Sequence, residues 1–199
     1  MIRSLADGEE RELRPELKFK LGQDLILRPS LSPNGESILL AAQDKRGRRG
    51  IYLVDTRTAA VTPIVRPESG TRVGLPAWSP DGKTVFYKLR NKTSKQSTIV
   101  ARDLATGAER NVYDSREPSK IGRFSISRDG RNVAFLLIDQ TSRSTAIMVM
   151  PIGGGEPREL LKVRDPEFIG RPTGLAWTPD GRNLLFRSYC KTSKLNSAR

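Results

Sequence analysis

One phrase occurs four times along this chain. AWSPDGK at residues 77–83 and AWTPDGR at 176–182 are close copies, while LSPNGE at 31–36 and ISRDGR at 126–131 are looser ones. Aligning the glycines gives Gly35, Gly82, Gly130 and Gly181, at intervals of 47, 48 and 51 residues. A repeat of this length means that one supersecondary unit is copied and stacked, so any fold proposed for the chain must be modular.

The unit can be read further. Each glycine is followed by a short apolar run, at 37–41, 84–87, 132–136 and 183–186, and then by a polar, mostly basic loop. Three units continue with a second run (51–54, 98–101, 146–150), a turn, and a closing run (60–64, 110–113, 158–161). The runs are rich in β-branched and aromatic residues and are separated by turn residues, which marks them as strands. Four short strands per unit at this period describe a propeller blade. The repeated phrase is the corner between the first two strands. Pro80 and Pro179 preset φ, Asp81 and Asp180 tolerate the next corner, and Gly82 and Gly181 accept positive φ. Trp78 and Trp177, matched by Leu31 and Ile126, are then large apolar wedges between neighbouring blades.

The expectation is an all-β propeller of about four four-stranded blades with half-blades at both ends. A half-blade at 1–13 precedes blades at 26–65, 73–113 and 121–161, with a second half-blade at 173–188 and a basic tail at 189–199. Phase supports the first half-blade, because 2–13 matches the end of a unit, as in 147–160. Such a chain is an open arc, or part of a larger propeller continuing covalently into further blades. The alternative is a small ring closed by its two halves.

The phrase Trp-Ser/Thr-Pro-Asp-Gly-Lys/Arg resembles the hallmark of the TolB-like, or WD-like repeat, propeller family. Two units match it closely; Asn34 replaces the aspartate in the first and Arg128 replaces the proline in the third. The resemblance covers nearly the whole chain. It implies a fold that occurs in free periplasmic proteins, in sensor domains, and beside the catalytic domains of prolyl-oligopeptidase-type serine peptidases and bacterial protein kinases.

Chemistry is bounded mainly by what is missing from the composition. The chain has no histidine, which excludes a nucleophile–histidine–acid triad and the HExxH zinc site within it. Cys190 is the one cysteine, so no intrachain disulfide or cysteine metal cluster can form. No GxSxG elbow or GxxxxGK[ST] loop is present; Gly153, Gly154 and Gly155 read as a hairpin turn. The aspartates are scattered through turns at no ligand spacing, so neither metal nor cofactor is expected. No apolar run approaches the roughly 18 residues of a membrane-spanning helix. Residues 1–14 lack the apolar core of a signal peptide, which points to the cytoplasm for the chain as it stands, or to the periplasm if a longer parent carries a signal upstream.

The formal charge of +13 is concentrated. In a propeller the second-to-third-strand loops and the blade-joining loops share one face. Those loops carry Lys45, Arg46, Arg48 and Arg49 against Asp44, then Lys88, Arg90, Lys92 and Lys95, then Arg143 against Asp139, and finally Arg187, Lys191 and Lys194. One face should be strongly positive. The functional expectation is a non-catalytic protein-interaction or sensing module that meets an acidic protein partner through Arg46, Arg48, Arg49, Lys92 and Lys95. The alternative is an accessory propeller of a larger enzyme whose catalytic part lies outside this chain. Nucleic acid fits less well, since only Tyr189 offers a stacking ring near those loops.

Overall fold

The computed structural model describes residues 2–3, 8, 10–18, 29–169 and 174–190, and every regular element in them is a strand. A hairpin of β1 (Ile2–Arg3) and β2 (Glu10–Arg11) comes first. The first blade contains β3 (Leu17–Lys18), β4 (Ser30–Leu31), β5 (Ser37–Asp44), β6 (Arg49–Asp55) and β7 (Val61–Val65). The second contains β8 (Thr71–Trp78), β9 (Thr84–Asn91), β10 (Ser97–Asp103) and β11 (Glu109–Asp114). The third contains β12 (Ser119–Ile126), β13 (Asn132–Asp139), β14 (Ser144–Pro151) and β15 (Arg158–Arg164). Last come β16 (Glu167–Ile169), β17 (Ala176–Trp177), β18 (Leu184–Leu185) and β19 (Ser188–Cys190), with β16 on β19 and β17 on β18. All pairings are antiparallel, and within the second and third blades they run between sequence neighbours, as in a blade.

The sheets of the second and third blades are covered on both faces, which explains why their central strands are apolar without interruption. Along β9, Val85 and Tyr87 pack toward the first blade while Phe86 packs toward the third. Along β13, Val133 and Phe135 pack back toward the second blade while Ala134 and Leu136 pack forward onto the last strands. The strand period of two therefore divides one run between two interfaces. The core is three slabs between sheets. Phe135, fully buried against Phe86, Ile99 and Val112, lies in the largest, with the Tyr113 ring centroid 4.5 Å from its own. Truncating such a phenylalanine to alanine costs about 3–5 kcal/mol.

The first strand of every unit is interrupted. Leu75 and Pro76 of β8 face the single residue Tyr87, and Gly122 and Arg123 of β12 face Leu136. These are bulges of one extra residue. Leu75 takes φ of +53° to make its bulge. At the other, a Cβ on Gly122 would lie 3.0 Å from Leu136 Cβ. In the first blade β3 and β4 both pair with β5, and in the last unit β16 pairs with β19 and β17 with β18. The sheets are consequently wider than the sequence expectation. The first takes in Leu17–Lys18, ahead of residue 26, and the last strands reach from Glu167 to Cys190, because β16 pairs with β19. Tyr189 and Cys190 are thus strand rather than tail, and the Phe168 and Tyr189 rings stack at 5.3 Å. Residues 26–28, 173 and 191–199 lie outside the described residues.

The arrangement is an open arc of a propeller. Among the described residues the β1–β2 hairpin and the β16–β19 strands form separate sheets.

Candidate functional site

The two ends of the blades differ in what their turns do with charge. At one end lie the repeated corners. Ser79 Oγ donates to Asp81 Oδ1 at 2.5 Å, the same carboxylate accepts the Lys83 N–H at 3.1 Å, and Ser79 Oγ accepts the Thr84 N–H at 2.8 Å. Ser127, Asp129 and Asn132 repeat the pattern in the third unit, Thr178, Asp180 and Asn183 in the last, and Ser32, Asn34 and Ser37 in the first. The hydroxyl hydrogen bond, followed by the backbone N–H, holds the Asp81, Asp129 and Asp180 carboxyls below the usual range. Gly82 sits at φ of +71°, and a Cβ there would lie 3.6 Å from Pro33; Gly130 stands in the same relation to Pro80. Successive corners therefore stack, proline against glycine. The third-to-fourth-strand turns close the same way, with Asp55 accepting from Thr58 and Asp103 from Thr106. Backbone hydrogen bonds from Thr56 to Glu36, Leu104 to Lys83 and Ile152 to Arg131 fasten the two sets of turns together. These acids are committed to backbone.

The tryptophans of the phrase join the blades. Trp78 Nε1 donates to the Ser30 carbonyl at 2.9 Å and packs into the slab containing Leu39 and Val85. Trp177 Nε1 donates to the Ser125 carbonyl at 3.1 Å. In each case the indole lies over the first strand of the preceding unit, one residue ahead of the position equivalent to itself.

The opposite end carries the basic candidates. Gly47 and Lys95 take positive φ in the turns before β6 and β10, as does Arg143 before β14. Lys92 N–H donates to the Gly70 carbonyl and Asp165 N–H to the Arg143 carbonyl, so these turns share a face with the blade-joining loops. Arg46, Arg49, Lys92 and Lys95 are exposed on it and form no ion pair among the described residues. Arg48 differs. Its Nε donates to Asp44 Oδ2 at 2.7 Å, and Arg66 approaches the same oxygen at 3.4 Å. Partial burial works to raise the Asp44 carboxyl, but the Arg48 N–H and guanidinium, helped by Arg66, bring it down to about 2. Arg48 is thereby drawn into the turn as a structural cation. Lys45 is paired to Glu16 at 2.5 Å.

The positive patch belongs to the first two blades. In the third, Asp139 stands where the second has Asn91, and each side chain caps its turn in the same way, accepting two N–H groups. Arg143 there lies 3.8 Å from Asp165. Lys88 points sideways into the joint and donates to the Ile121 carbonyl at 3.2 Å. Arg187 lies over the Tyr189 ring at 4.6 Å. Lys191 and Lys194 fall outside the described residues.

Two grooves open between blades. One, about 480 Å³, is lined by Asp81, Asp103, Glu109, Arg110 and Asp129, and those aspartates are turn-bound as above. The other, about 580 Å³, is lined by Pro63, Arg66, Tyr87, Leu89, Arg102 and Glu109. Its polar wall is the Arg102–Glu109 ion pair at 2.6 Å. Among the described residues no group of histidine, cysteine or acidic side chains is arranged to hold a metal, and no helix is long and apolar enough to cross a membrane.

The geometry defines a β-propeller, and solved structures agree. A TolB-type protein from Agrobacterium tumefaciens superposes with a TM-score of 0.66 at 18% identity, over 86% of this chain and 61% of that one. An oligogalacturonate lyase from Vibrio parahaemolyticus gives 0.57 at 15%, over 84% and 60%. An acylaminoacyl peptidase from Pyrococcus horikoshii gives 0.51 at 15%, over 77% and 28%. The fold is TolB-like, and at these identities the likeness concerns the fold alone. The chain spans less than two thirds of each of these proteins. No family model and no curated protein sequence matches it.

Proposed function

We propose that this protein is a propeller module without chemistry of its own that binds an acidic segment of a protein partner on the basic face of its first two blades. One observation carries the reading. Arg46, Lys92 and Lys95 sit on adjacent turns and Arg49 opens β6 directly after the first of them, and among the described residues none is in an ion pair, while the turn aspartates of the opposite face are held in their own turns. Unpaired surface cations on a rigid scaffold attract carboxylates with little reorganisation and speed encounter. The lack of histidine removes the commonest acid–base catalyst from the chain.

Binding of poly-glutamate to the chain tests this. Replacing Arg46, Arg49, Lys92 and Lys95 together by serine should abolish capture, and added salt should weaken wild-type binding, since exposed charges are screened within about 10 Å at 0.1 M ionic strength. Serine replacement of Arg48 should matter less than that of Arg46. Binding indifferent to the four substitutions defeats the proposal, as does a preference for a single-stranded oligonucleotide over the polypeptide.

A further inference from the structure

The joint between the first and second blades and the joint between the second and third can be compared position by position. Tyr87 and Phe135 each stand five residues after a corner glycine and face the preceding blade. On the outer strands they face, Val65 pairs with Ile51 and Tyr113 with Ile99, so Val65 and Tyr113 hold the same place. At the later joint the Tyr113 ring covers Phe135, and Met150 packs into the same slab. At the earlier joint valine replaces that covering ring, and the groove of about 580 Å³ opens there. The place of Met150 is taken by Arg102, since Arg102 pairs with Val85 as Met150 pairs with Val133, and Glu109 stands at the spacing of Pro157. One joint is filled with apolar side chains; the other has lost a ring and gained a hydroxyl and an ion pair.

The gained hydroxyl is unsatisfied. Tyr87 is 0% exposed, and its Oη meets no hydrogen-bond partner. Buried hydroxyls are normally paired, so this one marks a place where an acceptor is missing. Burial first, and then the neighbouring Glu109 carboxylate, push its pKa up, so it remains protonated and able to donate. The charges of the groove wall are otherwise compensated. Arg102 is paired with Glu109 at 2.6 Å and Arg66 with Asp44 at 3.4 Å, and the remaining charged lining residue, Glu68, is an exposed acid. An anion entering the groove would find no free cation. The rest of the wall, with Pro63, Ile64 and Leu89, suits an apolar body.

We propose that this groove binds a small neutral phenol, whose ring covers Tyr87 as Tyr113 covers Phe135 and whose hydroxyl accepts from Tyr87 and donates to Glu109. The volume lies within the roughly 300–1,000 Å³ of small-molecule sites. The Tyr87 hydroxyl is covered here, so the exposed Glu109 side chain shifts as the ligand enters. The proposal is independent of the acidic-partner reading, because Arg46, Arg49, Lys92 and Lys95 do not line the groove.

Titration of the purified chain with p-cresol, followed by NMR, is the test. Saturable binding with a dissociation constant below about 1 mM is expected, with toluene about tenfold weaker because it cannot pair with Tyr87. Tyr87→Phe should weaken p-cresol by about tenfold and leave toluene unchanged. The same variant should melt no lower than the parent, since it removes an unsatisfied hydroxyl, which separates a lost contact from a lost fold. Val65→Tyr, which builds the missing ring into the chain, should abolish p-cresol binding. The anion 4-methylbenzoate should bind more weakly than p-cresol. Absence of p-cresol binding, equal affinity for p-cresol and toluene, p-cresol affinity unmoved by Tyr87→Phe, or a preference for 4-methylbenzoate overturns the proposal.

Discussion

The two turn faces are made from the same residue types and use them oppositely. On the corner face each corner aspartate is matched to a hydroxyl and to a backbone N–H within five residues, so charge is spent on shape. On the basic face the turns are shaped mainly by asparagine or aspartate caps and by residues at positive φ, and the cations project beyond that frame. A face that satisfies itself locally is a scaffold; one with charge left over is a surface for something else. The largest effect should come from breaking the first kind. Ser127 is 1% exposed, donates to Asp129 and accepts the Asn132 N–H at 2.9 Å. Ser127→Ala strands two polar groups in a packed turn and should cost about 1–3 kcal/mol in urea unfolding. An Arg46→Ser change on the other face should stay within about 0.5 kcal/mol. Equal losses would erase the distinction.

A smaller loss follows where the corner needs its glycine. Gly130→Ala places a Cβ at φ of +70°, 3.6 Å from Pro80. The steric room is adequate but the backbone conformation is not, so about 1 kcal/mol should be lost on thermal melting. Gly181 has the same φ within a few degrees but faces open space, because the third unit carries Arg128 where Pro80 would recur. Gly181→Ala should therefore cost no more than Gly130→Ala. A larger cost at Gly181 would show that the stacking of corners contributes nothing.

Asp44, like Asp139, is an acid on the basic side that behaves like a corner acid. Its folded pKa of about 2 lies below the ordinary value near 3.9. The sign follows directly. The carboxylate contributes stability above about pH 4 and loses it as pH falls toward 2. Asp81, Asp129 and Asp180 shift in the same direction, so the chain should weaken steadily on acidification in that window. Asp44→Asn should flatten part of the acid limb of a melting temperature–pH curve. At neutral pH it should also raise poly-glutamate affinity by releasing Arg48 and Arg66. An unchanged acid limb would mean that the Asp44 pairing does not persist in solution.

Much of the scaffold is legible in the sequence, because a corner built on proline, aspartate and glycine is local chemistry and recurs at a fixed period. The serine or threonine three residues before each glycine, at Ser32, Ser79, Ser127 and Thr178, is equally visible, but local sequence gives it no role. Its value appears only when the hairpin brings the hydroxyl back to the N–H five residues on. The bulged first strands were illegible for a related reason. Nothing local ties Leu17–Lys18 to Asp44 and Gln43; that link exists only as register. At the candidate site, strand order alone placed the basic turns on one face. It could not separate Arg48 from Arg46, because the difference lies in which guanidinium the turn bends back onto Asp44.

The gentlest prediction asks whether the third blade could have belonged to the patch. Asn91 and Asp139 occupy the same cap, with acceptor distances of 2.8 and 3.0 Å in both turns. The amide oxygen of an asparagine can accept both hydrogen bonds, so Asp139→Asn should keep the turn and change stability by about 0.5 kcal/mol at most. The substitution removes one negative charge beside Arg143, which Asp165 holds only at 3.8 Å. Isothermal titration at low salt should show a modest gain in poly-glutamate affinity that disappears when salt is raised. A gain that survives high salt would assign it to altered shape and not to charge, and the two faces would then differ in rigidity rather than in what they leave unpaired.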